Sequence, residues 1–214
     1  ILLKHFKESK KMKLLNKSKT LALIMVSIFF LCISSANAYL LTNGDFENVN
    51  MTESWYVFDS IDGWTAGPGD AGIEVQRDGV VVPAHSGQYY IELDSDTRTD
   101  FGGTGLDQPT NSSMQQELFL TTGSYLLEFY YQPRTSLIDD NGIEVSLGGQ
   151  SFTVDGNTND WNPSGWHYFS HKFSITGNDD YALMFQAFGN DNSLGGFIDT
   201  VSLNPVPEPA TIFL

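Results

Sequence analysis

Apolar and polar positions alternate with a period of two along much of the chain. The clearest stretch runs from Met114 to Gly149, MQQELFLTTGSYLLEFYYQPRTSLIDDNGIEVSLGG. Gln116, Leu118 and Leu120 share one phase of a first run, and Tyr125, Leu127, Phe129 and Tyr131 share one phase of a second. In a third, Ile143, Val145 and Leu147 alternate with Glu144, Ser146 and Gly148. This is the pattern of strands with one face in a core and the other toward water or a ligand. Thr121-Thr122-Gly123-Ser124 predicts a tight reversal that pairs the first two strands as a hairpin, and Pro133 to Gly142 reads as a loop. One-sided strands need a second sheet over their apolar face.

Similar strand-length runs occur on either side. Leu40 and Leu41 predict a strand turned by Asn43-Gly44, followed by short aromatic segments at Trp55 to Phe58 and Gly63-Trp64. Ile73-Glu74-Val75-Gln76 and Tyr89 to Asp94 alternate, and Asp96 to Ser112 is a polar, glycine-rich loop. Phe152 to Val154, Trp166 to Ile175, Tyr181 to Phe188 and Phe197 to Leu203 complete the series. Helical spacing is sustained nowhere after residue 38. The expectation is all-β: a jelly-roll sandwich of two antiparallel sheets with about ten strands.

The first 38 residues follow different rules. Thr20 to Ile33 is an apolar run preceded by Lys13, Lys17 and Lys19 and followed by Ala36-Asn37-Ala38, a small-x-small cleavage site, which predicts a secretory signal peptide. Met12 is the natural start, with residues 1–11 an upstream extension. The expected organisation is signal peptide 1–38, sandwich 39–204 and a tail 205–214. Removing residues 1–38 takes seven of the 11 basic residues and one of the 26 acidic ones, leaving 4 and 25, a net charge of −21. Such a chain offers no basic stripe for nucleic acid, and favours neutral ligands or divalent cations. Its single cysteine, Cys32, lies in the signal, so the exported domain has no disulfide.

Sugars stack on aromatic rings while carboxylates, amides and arginine bond their hydroxyls. Tyr130 and Gln132 share the polar phase of their strand, with Arg134 close behind. Together with the loop tryptophans Trp64 and Trp161 they form the candidate ligand platform. Glu92, Asp94 and Asp96, at i, i+2 and i+4, resemble the carboxylate row of retaining β-glucanases and keep a glycan hydrolase open as a third reading. His167 and His171 lie too far apart on a strand to share a metal, and Ser86 lacks a nucleophile frame.

Two resemblances add to this. Val206-Pro207-Glu208-Pro209-Ala210 resembles the start of a PEP-CTERM sorting signal, in which the motif precedes a membrane helix and a basic end. It implies exosortase-type sorting machinery as a partner, only transient membrane contact through a sorting helix cut short here, and export to the extracellular space or outer envelope of a Gram-negative, exopolysaccharide-producing bacterium. The ordered series Leu41-Thr42-Asn43-Gly44-Asp45-Phe46-Glu47, Gly63-Trp64, Ser86-Gly87-x-Tyr89 and Phe197-Ile198-Asp199-Thr200-Val201-Ser202-Leu203 resembles galactose-binding-like jelly rolls of the DUF642 type and related carbohydrate-binding modules. That likeness implies a structural calcium held by Glu47 and Asp199, with Asp45 as a further ligand, and a polysaccharide or cell-surface glycan as ligand. Such an ion would clamp the two ends of a disulfide-free chain. The leading reading is a non-enzymatic, exported glycan-binding module, with a structural or adhesive surface protein as the alternative.

Overall fold

The computed structural model describes residues 40–67, 71–95, 111–140, 142–154 and 165–207. They form an all-β sandwich of jelly-roll type with twelve strands in two sheets of six. The strands are β1 Trp55–Phe58, β2 Ser60–Ile61, β3 Trp64–Ala66, β4 Ile73–Arg77, β5 Tyr89–Glu92, β6 Ser113–Leu120, β7 Gly123–Gln132, β8 Gly142–Leu147, β9 Gln150–Val154, β10 His167–Ile175, β11 Asp179–Phe188 and β12 Phe197–Val206. The order across the sheets is β1-β4-β5-β12-β7-β10 in sheet A and β2-β3-β6-β11-β8-β9 in sheet B. Every pairing is antiparallel.

The predicted alternation holds strand by strand. Met114, Leu118 and Leu120 from β6, Leu127, Phe129 and Tyr131 from β7, Ile143 and Val145 from β8 and Leu183 and Phe185 from β11 are buried between the sheets. The predicted hairpin, however, does not form: β6 belongs to sheet B and pairs with β3 and β11, whereas β7 belongs to sheet A and pairs with β10 and β12. The linker is an arch between layers. Tyr125 braces it, its hydroxyl accepting from Thr121 N (3.1 Å) and donating to Thr121 O (2.9 Å). Both arms of an arch point their apolar phase inward, so alternation alone does not distinguish it from a hairpin.

A true two-residue hairpin joins β8 to β9 through Gly148 and Gly149, both at positive φ (61° and 74°), as a primed turn requires. The strand expected at Leu40-Leu41 is also absent. Instead the Gln116 side chain acts as its partner, accepting from Thr42 N (2.7 Å) and donating to Thr42 O (2.9 Å), so the peptide is satisfied without a ladder. At the other end β12 runs on through Pro205 and Val206, opposite Tyr125 and Ser124, so the sandwich extends two residues past its expected limit at 204.

Candidate functional site

The outward face of sheet A carries the polar and aromatic half of each strand. In register, Trp55, Gln76 and Tyr90 form one row, and Val57, Glu74, Glu92, Phe197 and Gln132 the next. Most of this outward row is nonetheless buried, with Glu74, Gln76, Glu92 and Gln132 at 5%, 2%, 0% and 6% exposure. Two loops cover it. Residues 78–88 lie over one side, where Tyr90 Oη accepts from Val81 N and Val82 N, both at 3.2 Å. The turn before β12 lies over the other, where Asp94 Oδ2 accepts from Asn192 N (3.2 Å) and Leu194 N (3.1 Å).

Between these loops opens a pocket of about 320 Å³ whose lining includes Trp55, Glu74, Gln76, Arg134 and Asn192. A single amide organises its floor. Gln76 Nε2 donates to Glu74 Oε1 (2.9 Å) and to Glu92 Oε2, while Gln76 Oε1 accepts from the Tyr90 hydroxyl (3.1 Å). Arg134 pairs with Glu92 Oε1 and also donates to Ser193 O at 3.2 Å. Burial, with Glu74 beside it, pushes the Glu92 carboxyl well above the usual carboxylate range despite Arg134. The pocket is therefore lined by the Glu74 carboxyl, the Arg134 guanidinium, amides and an indole above the buried Glu92, a mixed hydrogen-bonding site with an aromatic wall.

Of the predicted platform, Arg134 reaches this pocket and Gln132 lies in the same buried row. Tyr130 is farther along the face, stacked on His85 (centroids 3.5 Å apart) and edge-on to Tyr168 (5.6 Å), which is 52% exposed. Trp64 is not at the surface: it is 1% exposed, packs against Phe46 and Phe185 and donates its Nε1–H to Asn43 O (3.1 Å). An inward phase on β3 overrides its position beside a turn. Trp161 lies outside the described residues. The row of three acids also dissolves. β5 ends at Glu92, Asp94 turns to φ 73° and points at the 192–194 turn, and Asp96 lies outside the described residues. The acid facing Glu92 is instead Glu74, across the ladder.

Glu47 and Asp199 both bond the backbone of the loop that leads into β5. Glu47 Oε1 accepts from Gln88 N (2.7 Å) and Tyr89 N (2.9 Å). Asp199 Oδ2 accepts from His85 N (2.9 Å) and Ser86 N (3.0 Å), and its Oδ1 from Thr200 N. Among the described residues no three His, Cys, Asp or Glu side chains group together. Asp45 is exposed at the surface. A bulge in β12 between Asp199 and Ser202, with Thr200 at φ 53°, aims Asp199 at this loop. His171 is stacked on Phe152 with centroids 4.3 Å apart.

No protein-family model matches the chain, and no curated protein does. Among solved structures, the chain is similar to the Stig cyclase FisC from Fischerella sp. TAU in complex with (3Z)-3-(1-methyl-2-pyrrolidinylidene)-3H-indole, with 16% identity, a TM-score of 0.54, and coverage of 82% of this chain and 100% of that one. A second cyclase structure from the same organism gives 14% identity, a TM-score of 0.52 and coverage of 79% and 97%. TmCBM61 in complex with beta-1,4-galactotriose gives 18% identity, a TM-score of 0.43 and coverage of 78% and 99%. At these identities the cyclase likeness is one of fold.

Proposed function

We propose that the protein is an exported, non-catalytic glycan-binding module that seats its ligand in the sheet A pocket. The observation that carries this reading is the pocket's make-up: Trp55 as an apolar wall beside the planar hydrogen-bonding groups of Glu74, Gln76, Arg134 and Asn192. These are the group types that grip a pyranose, the ring face on the indole and the hydroxyls on amides, carboxylate and guanidinium. The signal-like N-terminus and the PEP-CTERM-like tail support delivery to the extracellular space or outer envelope through exosortase-type machinery, with the producer's exopolysaccharide as the natural ligand.

A glycan array probed with the residue 39–207 domain tests this. Binding to one or more oligosaccharides, lost in Trp55→Ala and retained in Phe119→Ala on sheet B, is expected. Absence of binding to every glycan would leave the structural or adhesive reading. Reducing-sugar release from β-glucans would transfer the pocket to a hydrolase, with Glu74 and Glu92 as its acids.

A further inference from the structure

β10 is the outer strand of sheet A, and among the described strands only β7 pairs with it. The other side of β10 can be read residue by residue. Gln150 Nε2 donates to Ser174 O (2.7 Å) and Gln150 Oε1 accepts from Ser174 N (3.2 Å), so an amide side chain stands in for a strand there. The backbone groups of Ser174 therefore point away from β7, and by the period of two so do those of Tyr168, Ser170 and Lys172. The side chains of these three are exposed on the outer face of sheet A. Phe169 and His171, between them, are half-buried on the inner face, where Phe169 stacks on Phe129 (5.8 Å) and His171 on Phe152 (4.3 Å). Such an edge is a template for another strand.

We propose that this edge binds a second copy of the chain, β10 against β10, antiparallel about a two-fold axis through Ser170. The sequence Tyr168-Phe169-Ser170-His171-Lys172 selects both the partner and the register, because it runs from aromatic to basic about a central serine. The axis sets Tyr168 opposite the partner's Lys172 and Ser170 opposite the partner's Ser170, in pairs that exchange both backbone hydrogen bonds. Phe169 falls opposite the partner's His171 in a pair without backbone bonds, where side chains approach most closely.

Lys172 is the only lysine after residue 38. A lysine on an edge ordinarily opposes pairing. Here the two-fold axis directs it to an aromatic ring, and the Tyr168 hydroxyl donates to Glu128 Oε1, which sets a carboxylate beside the ring that receives the ammonium. Neighbouring registers lose this match. Moving the axis to His171 would require the Ser174 backbone groups that Gln150 already holds, and moving it to Phe169 takes Lys172 away from Tyr168. The net charge of −21 on each copy after residue 38 opposes association, so the match at the edge must outweigh a general repulsion.

Sedimentation velocity of the chain from residue 39, which contains every described strand, tests this at about 0.15 M ionic strength, where repulsion is screened beyond about 8 Å. A monomer–dimer equilibrium is expected. Lys172→Gln should weaken it about tenfold, since each dimer loses two cation–π contacts. Ser170→Pro should abolish it while Ser170→Ala keeps it, because only proline removes the central edge donor. Cysteine pairing reads the register directly, in a chain whose only native cysteine, Cys32, is absent. Ser170→Cys should cross-link to itself on oxidation, its Cα atoms lying about 5.5 Å apart across the axis. Tyr168→Cys and Lys172→Cys should each fail to self-link but link to one another when mixed. A monomer at every concentration overturns the inference, and so does a dimer in which Ser170→Cys does not cross-link. If Ser170→Pro does not fold, the cysteine variants still decide.

Discussion

Glu47 and Asp199 stand near opposite ends of the folded chain yet hold the same short loop, Glu47 through Gln88 N and Tyr89 N and Asp199 through His85 N and Ser86 N. Four backbone donors are thereby satisfied by two carboxylates. The two carboxylates clamp the loop through charge-assisted hydrogen bonds.

Calcium should therefore show no privilege. Melting followed by circular dichroism in equal concentrations of calcium and magnesium should give the same small shift, the screening of a strongly acidic chain. A calcium-specific rise that disappears in Glu47→Gln would overturn the hydrogen-bonded clamp.

Gly87 is the loop position with least tolerance. Its φ is 64°, and a Cβ there would land on the Glu47 carboxylate. Gly87→Ala should lower unfolding free energy by about 2–3 kcal/mol, combining left-handed strain with a broken clamp. Urea unfolding measures it, with Gly79→Ala, where φ is 78° but no atom lies nearby, separating strain from clash.

Burial lifts the Asp199 carboxyl from the usual 3.8 to about 6, outweighing the backbone donors that lower it. A carboxyl raised on folding contributes stability that is fully present below its unfolded value and is lost as pH rises through about 6. The full swing is about 3 kcal/mol. The Asp199 carboxyl resonance in carbon-13 NMR should titrate near 6, and Asp199→Asn should flatten the dependence of stability on pH between 4 and 6. A midpoint near 4 would refute it.

The two tryptophans that bracket the β1–β3 segment should separate stability from binding. Trp64→Ala, emptying a fully buried site, should cost about 3–5 kcal/mol of stability. Trp55→Ala should leave folding largely intact and remove glycan binding. Chemical denaturation and affinity measurements on the pair provide the comparison.

Period-two alternation made the sandwich and its core legible, because Leu127, Phe129, Ile143 and Val145 face inward whichever sheet they join. It was silent on which sheet, since an arch and a hairpin bury the same phase, and Thr121 to Ser124 suits both. The pocket was half visible. Arg134 follows from polar phase, and Ile73-Glu74-Val75-Gln76 places Glu74 and Gln76 on one face. Their meeting with Glu92 depends on ladder register, which no local pattern encodes. Trp64 misleads because a residue next to a turn reads as a loop anchor until β3 is known to turn it inward.

The position of β12 bears on how the chain reaches this structure. In sheet A it lies between β5 and β7, so the sheet without it is two separate pieces, β1-β4-β5 and β7-β10. Among the described strands, only β12 joins them. A chain still emerging from the ribosome has no complete sheet A to fold around, and the long-range closure of β12 on both neighbours must come after synthesis of Val206. Folding is thereby late and slow by topology, a delay in which the chain remains threadable.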